Sequence, residues 1–195
     1  MSAAPDTAAW RHTGLQEGFE VVTLNRHAGG HRLVGQIAAV EEGTPFALRY
    51  AIEVDAAWHT RSAWVESLAA SRGLEVDDQG RWRIDGEPAP HLEGCPDVDL
   101  EASACTNTLA VHRLALQPGE AGESRAAWVR SFDLRVEVLE QRYARRAVDD
   151  GTGHRYDYAA HRYDYAAPSL GFTAVLVFGD DGLIVDYPGL ARRTG

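Results

Sequence analysis

The chain has 195 residues and a net charge of −10, from 29 acidic and 19 basic side chains, and every base is an arginine because the sequence contains no lysine. That balance argues against a polyanion-binding surface, hence against a nucleic-acid partner, and no apolar run of about 18 residues exists to form a membrane-spanning helix. A chain of this length is most simply one domain, 1–195 with residues 1–8 as a poorly ordered tail, able to bury roughly 70% of the surface it exposes when unfolded.

The opening MSAAPDTAAWRH lacks a basic leader followed by an apolar stretch, which predicts a cytoplasmic protein. Cys95 and Cys105 are too few and wrongly spaced for a zinc site, and in a reducing compartment they are expected as buried thiols rather than a disulfide.

In chain order, short apolar or alternating segments are punctuated by turn signals. Glu20 to Asn25 runs into HAGGH, His27 to His31, and Arg32 to Val40 runs into EEGT, Glu41 to Thr44. The clearest strand follows, with Phe46, Leu48, Tyr50, Ile52 and Val54 alternating against Ala47, Arg49, Ala51, Glu53 and Asp55, so one face is inside. Thr60 to Leu68, Leu74 to Val76 and RWRID around Trp82 come next, the last two joined across DDQG as a tight hairpin.

The stretch Cys95 to Leu116 concentrates polar groups beside strand-like apolar residues. Asp97, Asp99 and Glu101 alternate with Val98 and Leu100, which predicts a strand with three acids on one face. After EASACTNT, Leu109 to Leu116 reads as a second strand carrying Arg113 on the face of Leu109 and Val111, a charge that needs a partner. The whole stretch is expected as strand, cap loop and strand at the rim of a cavity.

PGEAG then breaks the chain before SRAAWVR. Leu134, Val136 and Val138 alternate with Arg135 and Glu137, favouring a strand through Tyr143, although VEVLEQRYARRA contains good helix formers. GFTAVLVF is apolar on both faces, GDDG turns, and LIVDY pairs back. About a dozen such strands predict an all-β, mainly antiparallel meander closed or nearly closed into a barrel with an apolar cavity.

HRYDYAA occurs twice without a break, at His154–Ala160 and His161–Ala167. A period of seven is odd, so a continuous strand would turn the two tyrosine pairs to opposite faces, and one copy is expected to bulge or loop out. The repeat reads as a tandem duplication tolerated at the surface, with Tyr163 and Tyr165 dispensable for binding a ligand. The five tryptophans are expected in the core.

Catalytic signatures are sparse. The sequence has no GxSxG, Walker loop, GxGxxG or HExxH, and His27 and His31 flank a turn without a local third metal ligand, so no cofactor or metal is expected. Asp97 and Asp99 could form a carboxylate pair of the kind glycosidases use, but neighbours on one strand face are poorly disposed to attack from opposite sides.

GCPDVDLEASACTNTLAVHRLAL, with RWRIDG before it, AAWVR and EQRY after it and DGLIVDYPGLARR at the end, resembles the Putative glycolipid-binding family, formerly a domain of unknown function. The resemblance spans about Trp10 to Arg193. It implies a largely antiparallel β-barrel with an apolar cavity, similar in shape to bacterial lipoprotein and lipid carriers, and no established enzymatic activity. The sequence departs from the family pattern at Ala104 and Cys105, where a Pro-Phe pair would be typical, and at Ala110, where proline is common.

The expected function is therefore the holding of an amphiphilic small molecule, a glycolipid or fatty acyl compound, without catalysis. Burying about 12 methylenes offers roughly 10 kcal/mol, against association costs of at least ~4 kcal/mol. A sugar or phosphate head group needs donors at the mouth, and the candidates are Asp97, Asp99, Asn107, Arg113, Arg130, Arg142 and Tyr187, arginine being suited to bidentate contacts. The alternatives are that Arg113 with Asp97 or Asp99, and Glu140 with Arg142, are interior ion pairs, that Tyr187 and its neighbours seal the barrel end, or that Asp97 or Asp99 is the general base of a hydrolase-like enzyme.

Overall fold

The computed structural model describes residues 7–147 and 161–194. The first eight strands are β1 (Thr7–Thr13), β2 (Gln16–His27), β3 (Gly30–Glu41), β4 (Thr44–Asp55), β5 (Thr60–Ser67), β6 (Ser71–Val76), β7 (Trp82–Ile84) and β8 (Glu87–Pro88). Then come β9 (Asp97–Leu100), helix α1 (Asn107–Leu114), β10 (Ala121–Val129), β11 (Val136–Arg145), β12 (His161–Ala167), β13 (Phe172–Phe178), β14 (Ile184–Tyr187) and β15 (Ala191–Arg193).

The 15 strands of the described residues belong to one sheet, running from β8 back to β1, across to β15, and back again to β9. The join is β1 against β15, with Trp10 opposite Arg193, so the two ends of the chain stitch the two halves together. Among the described residues no ladder connects the edge strands β8 and β9. The β9 edge is instead tied to the start of β5: Thr60 N–H donates to Pro96 O at 3.0 Å, and Val98 N–H donates to Thr60 Oγ1 at 3.0 Å.

The expected alternation sets the inside of the sheet. Leu48, Tyr50, Ile52 and Val54 of β4 are all buried, as are Val22 and Leu24 of β2 and Leu33 and Ile37 of β3. Turn chemistry agrees: in EEGT, Glu42 and Gly43 take φ 48° and 80°, the left-handed pair that a two-residue hairpin needs, and Glu41 pairs with Thr44. A close approach needs a glycine at Gly35, where an added Cβ would lie 2.2 Å from the ring of Tyr50 on the neighbouring strand.

Several expectations change. Thr7 and Ala8, expected in a poorly ordered tail, belong to β1, and Ala8 is buried; residues 1–6 lie outside the described residues. Among the described residues the meander is interrupted twice: β8 and β9 follow one another in the chain but lie at opposite edges of the sheet, and β9 and β10 are parallel, so the chain between them must cross over, and it does so through α1. Leu109 to Leu116 is therefore helix for most of its length rather than strand. Alternation misled here because every residue from Asn107 to Val111 is buried, leaving no solvent face to reveal a helical period. Leu134 lies outside β11 in the left-handed region, and the strand itself extends through Tyr143 to Arg145. The second heptad is β12, with Tyr163 and Tyr165 in the core; His154–Ala160 lies outside the described residues.

The loop and helix from Ala102 to Val111 fill the interior of the curled sheet. They touch both of its halves. Glu20 on β2, fully buried, accepts from Ala104 N–H at 2.8 Å, Cys105 N–H at 3.3 Å, Ser103 Oγ and Tyr50 Oη. From the opposite wall, Tyr143 Oη on β11 donates to Asn107 Oδ1 at 2.8 Å. His112 stacks on Trp58 with ring centroids 4.1 Å apart, and His31 covers the other face of Trp58 at 4.1 Å. Burial pushes the Glu20 carboxyl upward against its four donors, which pull it down.

Candidate functional site

The inward faces of β9 to β14 meet the β1–β2 and β14–β15 turns around a cavity of about 280 Å³. One wall is aromatic: Trp128 from β10, Tyr165 from β12, Phe172 from β13 and Tyr187 from β14. Tyr165, Phe172 and Tyr187 pack with centroids 6.0 to 6.2 Å apart. Leu139 and Ala167 add aliphatic surface, and Leu15 and Leu170, both largely exposed, stand at the edge. The β1–β2 and β14–β15 turns meet at Gly14, where a Cβ would overlap Gly189 O at 1.8 Å, so the two turns touch backbone to backbone there.

The polar wall comes from the central stretch and its neighbours. Asp99 on β9 points in and accepts from Thr106 Oγ1 and from Gln141 Nε2 at 2.9 Å. Gln141 Nε2 also donates to Tyr165 Oη at 3.1 Å. None of these donors is a cation, and burial raises the Asp99 carboxyl to about 7 despite them. Asn107, at the first turn of α1, lines the cavity beside Ser103. Gln16 and Glu41 complete the wall, joined by a 2.7 Å bond from Gln16 Nε2 to Glu41 Oε2; among the described residues Gln16 Oε1 has no hydrogen-bond partner.

Of the seven residues proposed from the sequence, four reach this cavity: Asp99, Asn107, Arg130 and Tyr187. Arg130 is engaged by neighbours. Its Nη2 lies 3.0 Å from Glu101, its Nη1 3.5 Å from Glu137, and its guanidinium sits 4.3 Å over Trp128. Asp97, buried, and Arg113, half-buried, form a separate ion pair. Arg113 donates to Asp97 from Nε at 3.0 Å and Nη2 at 2.6 Å, and Ser124 Oγ bonds both partners. The pair ties α1 to the β9–β10 crossover, so Arg113 chooses Asp97, and Asp99 keeps its neutral partners. Arg142 points outward from β11, beside grooves of about 510 and 550 Å³ lined by outward-facing residues such as Glu123, Arg125 and Asp164. As an exterior residue it lies away from the cavity, because it is one position out of phase with Gln141 and Tyr143.

The sequence reading missed Glu20, Gln16, Gln141 and Tyr165. Glu20 carried a signal, a charge sharing the face of Val22 and Leu24. Gln141 shares the face of Leu139 and Tyr143 in the same way. Tyr165, read as dispensable, is buried at the centre of the aromatic wall, with its hydroxyl bonded to Gln141 and Tyr187. Cys95 and Cys105 are buried free thiols. Trp10 and Trp82 are core residues whose indoles donate to Ile184 O and Cys95 O, whereas Trp64 is exposed on the outer face. Among the described residues no group of three or more His, Cys, Asp or Glu is placed to hold a metal ion. Among the described residues no helix is long and apolar enough to cross a membrane.

No curated protein matches the chain. Two solved structures do. A crystal structure of a DUF1089 family protein from Pseudomonas aeruginosa is 32% identical, with a TM-score of 0.71 over 95% of each chain. A beta-barrel-like protein of the domain of unknown function DUF1849 from Brucella abortus is 11% identical, with a TM-score of 0.55 over 98% of this chain and 95% of that one, a likeness of fold. The family model described as Putative glycolipid-binding matches residues 7–193, and the chain belongs to that family.

Proposed function

We propose that the protein is a non-catalytic binding protein for an amphiphilic small molecule, a glycolipid or acyl compound, held in the cavity between α1 and the aromatic wall. The observation that carries this reading is the pairing of an apolar, aromatic wall with a few converging polar groups in one inward-facing cavity of about 280 Å³. Exposed Leu15 and Leu170 at its edge give an acyl chain an apolar way in. The family's description supports the ligand class. The unbonded thiols of Cys95 and Cys105 fit action in the reducing cytoplasm.

A hydrolytic reading has one observation in its favour. A carboxyl near neutrality inside a cavity, as Asp99 is, suits general acid–base work. Both its oxygens are engaged by Thr106 and Gln141, however, and Asp97 is locked to Arg113, so neither acid is placed as a free base.

The test is native mass spectrometry of freshly purified protein, with solvent extraction of whatever is bound. An acyl ligand recovered unchanged from wild type, and lost when Ala167→Leu fills the cavity, is the expected result. Turnover of that ligand by wild type, absent in Asp99→Asn, would replace the carrier reading with the hydrolytic one.

A further inference from the structure

The sequence pointed to arginines among the recognition groups for a sugar or phosphate head. The arrangement of the cavity is the reverse. Arg113 is directed to Asp97 and Ser124, Arg142 is outside, and the terminal nitrogens of Arg130 sit on Glu101 and Glu137. An orphan donor does lie on the wall, Arg130 Nε, but the charge of that guanidinium is already matched by two carboxylates.

What the cavity offers is acceptors. Asp99, more than nine-tenths buried, faces it with two neutral donors and no cation. Glu41 and Glu101 stand on the same wall. Gln16, whose amide nitrogen donates to Glu41, is 4% exposed, lines the cavity and holds a carbonyl oxygen that has no partner among the described residues. A buried acceptor left unmatched is costly, and a buried carboxylate without a counter-ion more so, and both penalties fall if the ligand brings donors and a positive charge. The aromatic wall suits the same charge, because ring faces attract cations.

We infer that the cavity takes a cationic amphiphile, whose aliphatic ammonium head is received by Asp99, Glu41 and the carbonyl of Gln16. This rests on the cavity being the ligand site. An amino-bearing glycolipid and a simple alkylamine share that chemistry, and a phosphorylated head group does not.

The experiment is titration calorimetry at about pH 8, where alkylamines remain protonated. Three probes of one chain length, n-octylammonium, octyl sulfate and octyl glucoside, are each used below the concentration at which they form micelles. Wild type should bind octylammonium about tenfold or more tighter than octyl sulfate. Asp99→Asn should lose about tenfold for octylammonium and change octyl glucoside by no more than about twofold. Asp78→Asn, which removes the same charge from the exposed turn between β6 and β7, should stay within about twofold for every probe and so separates the cavity from the overall negative charge. Should Asp99→Asn not fold, Glu41→Gln and the order of probes on wild type decide. Octyl sulfate binding as tightly as octylammonium, or equal losses in Asp78→Asn and Asp99→Asn, overturns the inference while leaving an amphiphile carrier intact. Failure of all three probes overturns both.

Discussion

Asp99 makes a prediction about stability that needs no ligand. Its carboxyl is raised from 3.8 to about 7, chiefly by burial. The folded state then holds a proton that the unfolded chain has lost, across the window from about pH 4 to about pH 7. The contribution is fully present below about pH 4 and is lost as pH rises through about 7. A shift of roughly three pH units corresponds to at most about 4 kcal/mol. Wild type alone would hide this. His12 and His112 are lowered from 6.5 to about 4 by burial, so they favour unfolding as pH falls through the same window and oppose the slope from Asp99. The informative quantity is the difference between wild type and Asp99→Asn in urea denaturation at each pH. Asparagine resembles the protonated acid, keeps polar groups for Thr106 and Gln141, and cannot ionise. The two proteins should be close in stability near pH 4, and the variant should pull ahead as pH rises to 8, with Glu20 and both histidines cancelling in the difference. A difference that is flat from pH 4 to 8, or that favours wild type at the alkaline end, would refute the assignment of a buried carboxyl without a counter-ion.

Three further predictions test the surroundings of the cavity. Arg113→Met strands the Asp97 carboxylate in the β9–β10 crossover and should cost about 3–5 kcal/mol in denaturation, most of it regained in Asp97→Leu/Arg113→Met, where neither charge remains. His112→Phe should keep the stack on Trp58 and remove part of the stability lost as pH falls from about 6.5 to about 4, which paired pH titrations of thermal unfolding would detect. Cys95 and Cys105, buried with their thiols raised by desolvation, should resist a thiol-specific reagent in the native protein and react only as fast as it unfolds; rapid native labelling of Cys105 would contradict the packing of the loop on Glu20.

Strand-forming segments were legible wherever one face met the core and the other met water. Phe46 to Val54 shows this best, since a single register satisfies both faces. The EEGT turn was legible for a related reason: its local chemistry admits few backbone conformations. The segment Asn107–Leu114 was not, because burial of every residue from Asn107 to Val111 erases the contrast from which a period is read. The same cause governs the candidate site. Asp97 and Asp99 were visible as acids among aliphatics, but which of them would take Arg113 depends on where a helix carries that arginine in space. Arg142 was misplaced for a simpler reason. It was picked for its chemistry, and its parity with Glu140 rather than Gln141 already puts it outside. Tyr165 was hidden by the duplicated heptad, which drew attention to the repeat instead of to the face its second copy occupies.

The plug also limits what the cavity can hold. Ala102 to Val111 packs inside the curled sheet, beside a cavity of about 280 Å³. A methylene takes up about as much room as a water molecule, whose share of the liquid is ~30 Å³, so the cavity admits on the order of nine methylenes. At about 0.8 kcal/mol each these yield roughly 7 kcal/mol, and an association cost of at least ~4 kcal/mol leaves about 3, an affinity in the millimolar range. Chain burial in this cavity therefore cannot by itself give a tight complex. On the proposed reading the remaining affinity comes from the head group, and the groups on the cavity wall available to it are Asp99, which has no counter-ion among the described residues, the carbonyl of Gln16 and Glu41. Discrimination among amphiphiles should then follow head-group charge more steeply than chain length. Lengthening an alkylammonium beyond about nine carbons should gain little affinity, whereas removing its charge should cost most of it. A steady gain per methylene through longer chains would mean that α1 moves aside to admit them.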